Sequence, residues 1–290
     1  MREVIYIEVQ GYRLIGTYHE PHAFQSSRSS IGVFFSNFGW VPRDGHGSLG
    51  AVLADEFAAA GFHAFRIDMP GMGDSPGAVP DIAEHFGDGV RRGEQVPAFS
   101  TAIRDLMDKY SITKAIVAGV CAPFINAVFS WGEKKIPLYG IIALDPDFSS
   151  PTRPVKKVNR SFPRKLFSGW NWILIFSGNS VKSRYFPLFI RRMLKPLIRL
   201  RYNPDNINIP LVRIWRNLVS SGIPVLIISA KDTTQHLCIQ QANKMALRGV
   251  DKSRVRFIAI PGTGHTFTKG DPRETILREV RSWLNLYFPE

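Results

Sequence analysis

One stretch restricts the fold of this chain more than any other: Ala115-Ile116-Val117-Ala118-Gly119-Val120-Cys121-Ala122-Pro123-Phe124. It opens as an apolar run with β-branched Ile116, Val117 and Val120, which predicts a short buried strand. A sharp turn and a helix start follow, because Pro123 suits the first helical turn, where its missing N–H would be unpaired anyway. A strand that turns directly into a helix around one reactive side chain is the layout written G-x-S-x-G, with the nucleophile at the apex. Here Gly119 holds the first place, small enough for the helix to cross close to the strand. Cys121 takes the place of the serine and Pro123 that of the second glycine. The competing reading is a small buried cysteine behind a valine-rich strand, without chemistry.

The rest of the chain supplies the frame. Val4–Val9 and Tyr12–Tyr18 alternate around Gln10-Gly11 and predict a β-hairpin. Further strands are expected at Ile31–Ser36, His63–Ile67, Tyr139–Leu144, Pro224–Ser229 and Val255–Ile260. Helices are expected at Leu49–Ala60, closed by Gly61, at Phe99–Tyr110 with Ser100 as N-cap, at Gln240–Leu247, and from about Pro272 to Leu286. Strands alternating with helices imply a mostly parallel sheet covered on both faces. At 290 residues the chain is long enough for one large domain carrying an insertion.

Cysteine usage and charge narrow the function classes. Two cysteines, Cys121 and Cys238, argue against a disulfide scaffold and for a reducing, cytoplasmic setting. Met1-Arg2-Glu3-Val4 leads into a strand and not an apolar core, so no signal peptide is expected. No run of apolar residues is long enough to span a bilayer. The net charge is +13, and it is concentrated: the segment 151–216 holds 15 Lys+Arg against one acid, Asp205, or +14, leaving −1 for the remainder. His19, His22, His46, His63 and His85 show no ligand spacing, so no metal and no cofactor are expected.

Two further stretches carry chemistry. Asp68-Met69-Pro70-Gly71-Met72-Gly73-Asp74-Ser75 follows a strand. A phosphate-binding glycine loop would need a helix immediately after it, but Pro76 and Gly77 follow. Asp232 and His265 each lie just past a strand, so Cys121, Asp232 and His265 occur in the order nucleophile, acid, histidine. His265 would take the thiol proton and Asp232 would orient the imidazole. Asp145 and Asp147, which end the strand before the basic segment, are the alternative acids, and His236 reads as a surface residue. The oxyanion donors would be the backbone N–H of Ala122 and one from Phe38 or Gly39.

These residues resemble those of α/β hydrolases over nearly the whole chain, and most of all the exosortase-system-associated hydrolases. Their cysteine-bearing G-L-C-D-A elbow resembles Gly119-Val120-Cys121-Ala122-Pro123. Their G-G-x-x-x-R loop resembles Phe38–Arg43, and their R-F-D-x-x-G-M-G-D-S resembles Arg66–Ser75. Arg164-Lys165-Leu166-Phe167-Ser168-Gly169 is similar to a run in their cap. Phe38 and Ala122 depart from that pattern. Dienelactone hydrolases share the cysteine elbow but keep the glycine that Pro123 replaces.

The resemblance implies an α/β-hydrolase core of 1–147 and 217–290 with an inserted helical cap, 148–216. It implies acyl transfer through a Cys121 thioester, with Trp40, Arg43, Trp170 and Trp172 contacting an apolar or aromatic acyl substrate. Water as acceptor gives a thioesterase or esterase; an amine or alcohol gives an acyltransferase. A non-catalytic binding protein is the third reading. Phe162, Phe167, Trp170, Trp172, Phe176, Tyr185, Phe186, Phe189 and Trp215 make the cap aromatic as well as basic. It is expected to cover the site, to dock an acidic donor such as coenzyme A or an acyl carrier protein, or to contact an anionic membrane at its inner face. No nucleic-acid motif accompanies the charge, so no nucleic acid is expected.

Overall fold

The computed structural model describes residues 1–22, 27–78, 83–151, 206–270 and 272–289. Among them eight strands form one sheet in the order β1-β2-β4-β3-β5-β6-β7-β8. The strands are β1 (Arg2–Val9), β2 (Tyr12–His19), β3 (Ile31–Phe35), β4 (His63–Ile67), β5 (Lys114–Val120), β6 (Leu138–Leu144), β7 (Val225–Ala230) and β8 (Val255–Ile260). The hairpin β1–β2 and the pair β2–β4 are antiparallel; every pairing from β4 onward is parallel. The helices are α1 (Leu49–Ala59), α2 (Ala83–Arg92), α3 (Val96–Lys109), α4 (Ala122–Gly132), α5 (Ile209–Ser220), α6 (Thr234–Ala246) and α7 (Arg273–Tyr287). This is the expected α/β-hydrolase fold, a mostly parallel sheet with helices on both faces.

The inner parallel strands β3, β5, β6 and β7 are mostly apolar because both faces are covered, whereas the edge strand β8 carries Arg256 and an exposed Phe257. Alternate side chains of β3, β5 and β6 (Val33, Phe35, Ile116, Ala118, Val120, Ile142, Leu144) enter one core with Phe57 of α1 and Trp283 of α7. On the other face α3, α4 and α5 pack together. There Phe124 of α4 meets Phe148 at 4.9 Å and Trp215 of α5 at 5.4 Å between ring centres.

That cluster corrects the expected boundaries of the insertion. Phe148 and Trp215 are fully buried in the core, so the core reaches past residue 147 and resumes before residue 217. Ser149 and Ile207 form an antiparallel bridge, and Asn208 N–H donates to the Phe148 carbonyl at 2.8 Å. The two flanks of the basic segment are therefore paired with each other. Residues 152–205, with Trp170, Trp172 and 13 of the 15 Lys+Arg of the basic segment, lie outside the described residues. Three smaller expectations also change. Helix α2 was not foreseen. Ser100 is not a cap but lies buried inside α3, paired with Ser130 Oγ at 2.9 Å. His236 is buried, bonded to Ser229 Oγ at 2.7 Å and stacked near Phe257. Among the described residues no helix is long and apolar enough to cross a membrane.

Candidate active site

The carboxyl ends of the parallel strands carry the polar residues singled out above, where α/β sheets place their ligands. Cys121 follows β5 and serves as N-cap of α4. Its backbone has φ 66° and ψ −93°, a region that costs a non-glycine residue about 1–3 kcal/mol and collects at functional turns. Gly119 has φ 142°, and a Cβ there would stand 2.7 Å from Phe38 Cε1 and 2.8 Å from Pro123 Cγ. The turn therefore closes only with glycine at this place, as the elbow pattern requires.

Val120 and Leu144 are register partners in β5 and β6, and Cys121 N–H donates to the Leu144 carbonyl at 3.0 Å. Asp145 thus stands beside Cys121, also at positive φ (43°). Asp145 is fully buried. One carboxylate oxygen accepts from Ala230 N–H at 3.2 Å and the other from His265 Nδ1–H at 2.6 Å. With Nδ1 donating, the lone pair of His265 is on Nε2. The carboxylate that meets His265 is therefore Asp145, the alternative acid, and not Asp232. Asp232 is exposed, and it accepts from Gly262 N–H at 3.0 Å, tying down the loop that leads to His265.

A second carboxylate of the same turn, Asp147, is buried as well. Its Oδ1 accepts from Ser149 N–H at 2.8 Å, from the Ser149 hydroxyl and from Gln235 at 3.1 Å. Its Oδ2 accepts from Arg91 Nε at 2.7 Å, and Arg91 also reaches Asp88 at 3.0 Å. Burial alone would raise the Asp147 carboxyl, but Arg91 and the Ser149 bonds hold it below its ordinary value. Cys121 is half-buried, and enclosure by protein pushes its thiol well up, with Asp147 and Asp145 adding to the rise and Arg91 opposing it. The free protein therefore carries a protonated thiol. His46, from the loop after β3, has its pKa lowered by burial and by the nearby His265. In the sequence Asp147 is one of the alternative acids and His46 is weighed only as a metal ligand; Arg91, on α2, is not marked there.

The loop after β3 supplies Phe38 and Gly39. The Gly39 N–H already donates to the Asn37 carbonyl at 3.0 Å, which leaves Phe38 as the better donor of the two. Ala122 is the first residue of α4, and its N–H belongs to the helix start that has no intrahelical acceptor. Trp40 is partly exposed and meets Phe86 edge-on at 5.1 Å. Arg43, expected to contact substrate, is occupied elsewhere. Its guanidinium bonds Thr17 Oγ1 at 3.0 Å, Asp74 at 2.7 Å, and Asp68.

No family model matches the sequence, and no curated protein matches it. Solved structures do. An esterase of Pyrococcus furiosus aligns over 99% of this chain and 93% of its own, with a TM-score of 0.58 at 13% identity. An α/β hydrolase of Penicillium sp. aligns over 100% of both chains, with a TM-score of 0.55 at 16% identity. A dienelactone hydrolase of Anabaena variabilis aligns over 99% of this chain and 98% of its own, with a TM-score of 0.53 at 13% identity. At these identities the likeness shows the fold.

Proposed function

We propose that this chain is an acyl-transfer enzyme, a thioesterase- or esterase-type hydrolase working through a Cys121 thioester with His265 as base and Asp145 as the orienting acid. The observation that carries the reading is the 2.6 Å bond from His265 Nδ1 to a fully buried Asp145, set beside a cysteine at positive φ on the neighbouring strand end. The fold shared with esterases supports it.

The steps follow from the environment. Because the thiol is protonated in the free enzyme, His265 Nε2 takes its proton as Sγ attacks the acyl carbonyl. The carbonyl oxygen gains the negative charge and is received by the N–H groups of Ala122 and Phe38. Asp145 stabilises the imidazolium without itself becoming protonated. When the tetrahedral intermediate collapses, the bond to the leaving group breaks, and His265 returns the proton to it. The Cys121 thioester then meets water, and His265 repeats the cycle. A thioester is also well suited to attack by an amine, which makes an acyltransferase the second reading. The +14 segment favours an acidic donor, coenzyme A or an acyl carrier protein, over a neutral ester.

The test uses p-nitrophenyl butyrate and butyryl-coenzyme A, with and without benzylamine. Butyryl on Cys121 by peptide mapping, lost in His265→Ala and absent from Cys238, is the expected result. Free butyrate then marks a hydrolase and N-benzylbutyramide a transferase. Turnover that survives Cys121→Ala contradicts the reading.

A further inference from the structure

The stretch Asp68–Ser75 contacts no reacting group in the mechanism above, yet it holds one of the most densely bonded carboxylates in the described chain. We propose that Asp68 and Arg43 are positioning residues: they lock Asn37, and through Asn37 the Phe38 N–H that receives the oxyanion. This rests on the Cys121 acyl-transfer reading.

Asp68 follows β4 and is fully buried. It accepts from Asn37 Nδ2 at 2.7 Å, from Arg43 N–H at 2.7 Å, from Asp74 N–H at 3.1 Å, and from Arg43 Nη1. A buried carboxylate needs a counter-charge and filled lone pairs, and Arg43 supplies the charge. Gly73 makes room for it, since any Cβ there would collide with the Asp68 carboxylate. That is the physical content of the glycine in the motif.

Every polar atom of the Asn37 side chain is held. Nδ2 donates to Asp68 and to the Val41 carbonyl at 3.0 Å, and Oδ1 accepts from Met69 N–H at 2.7 Å. The Asn37 carbonyl accepts from Gly39 N–H. In a trans peptide the carbonyl and the following N–H point opposite ways, so a fixed Asn37 carbonyl fixes the direction of the Phe38 N–H. The Phe38 ring is wedged under Gly119, the glycine two residues before Cys121. One residue thus ties the oxyanion loop to the elbow, and Asp68 and Arg43 hold that residue's peptide in place.

The experiment compares wild type with Asp68→Asn, Arg43→Gln and Arg43→Lys in two single-turnover reactions at Cys121. Acetylation by p-nitrophenyl acetate builds an oxyanion; alkylation by iodoacetamide displaces iodide at a saturated carbon and builds none. Acetylation is expected to fall roughly 10- to 100-fold in Asp68→Asn and Arg43→Gln, as for a donor misplaced by about an ångström, with Arg43→Lys in between. Alkylation is expected to stay within about twofold, since nothing in that reaction uses the oxyanion site. The carbonyl stretch of the acetyl-enzyme is expected to move to higher frequency, because the oxygen is less polarised. Acetylation unchanged in both Arg43 variants overturns the proposal even where Asp68→Asn does not fold. Parallel losses in both reactions overturn it too, because they mark a general structural role. Wild-type protein that is never acetylated at Cys121 overturns the acyl-transfer reading, and this proposal with it.

Discussion

The turns after β6 and β7 look alike in sequence and behave in opposite ways. Each places an aspartate within two residues of a buried strand end. After β6, Asp145 sits at zero exposure against a backbone N–H and the His265 ring. After β7, Asp232 is exposed and anchors the amide of Gly262. The first turn is strained at positive φ and carries a second buried carboxylate; the second is an ordinary loop start leading into α6. Chain order alone does not choose an acid. What chooses it is which strand end the loop carrying the histidine reaches, and that loop crosses from β8 to the end of β6.

Three substitutions sharpen the contrast. The largest effect is expected for Asp145→Asn, which keeps shape but offers His265 a donor where it needs an acceptor. The imidazole is then held in the wrong tautomer, and acylation of Cys121 should fall about 10⁴-fold. The measurement is the single-turnover rate with p-nitrophenyl butyrate. Next is Arg91→Gln, which leaves Asp147 buried without its counter-charge. Chemical denaturation near neutral pH should show a loss of about 3 kcal/mol. The pH dependence has a definite sign. Burial works against the charged form, but Arg91 and Ser149 hold the folded Asp147 carboxyl below its ordinary 3.8. Its stabilising contribution is therefore present above that value and lost as pH falls through the lower, folded one. The gap between wild type and Arg91→Gln should accordingly be widest near neutrality and close as the pH drops below about 4. The smallest effect is expected for Asp232→Asn. It weakens one exposed bond to Gly262, so stability should change by about 0.5 kcal/mol or less, with acylation nearly unaltered.

Much of the frame was legible because burial on both faces writes itself into sequence. The apolar runs that became β3, β5, β6 and β7 were readable for that reason, and so was the elbow, where Gly119, Cys121 and Pro123 have no interchangeable partners. The failures have local causes. Helix α2 contains Gly87 and Gly89, poor helix formers, and is mostly polar, so it did not stand out as a helix despite its amphipathic spacing. Helix α5 buries Leu211, Val212, Trp215, Leu218 and Val219 at helical spacing, but it adjoins a run of basic charge and was read as cap. The family resemblance of the Phe38–Arg43 loop points Arg43 at substrate and says nothing of its partners; the structure adds that Asp68 and Asp74 close on its guanidinium. Asp145 and Asp232 share one local signature, and nothing short of the tertiary path of the β8 loop separates them.

The most direct test of the account is an intact-mass time course of acyl transfer to Cys121 in wild type, Asp145→Asn and Asp232→Asn, read side by side with one ester. The account predicts that wild type and Asp232→Asn acylate at matching rates while Asp145→Asn is nearly inert. Full-rate acylation in Asp145→Asn together with loss in Asp232→Asn would contradict it and return the acid to the end of β7.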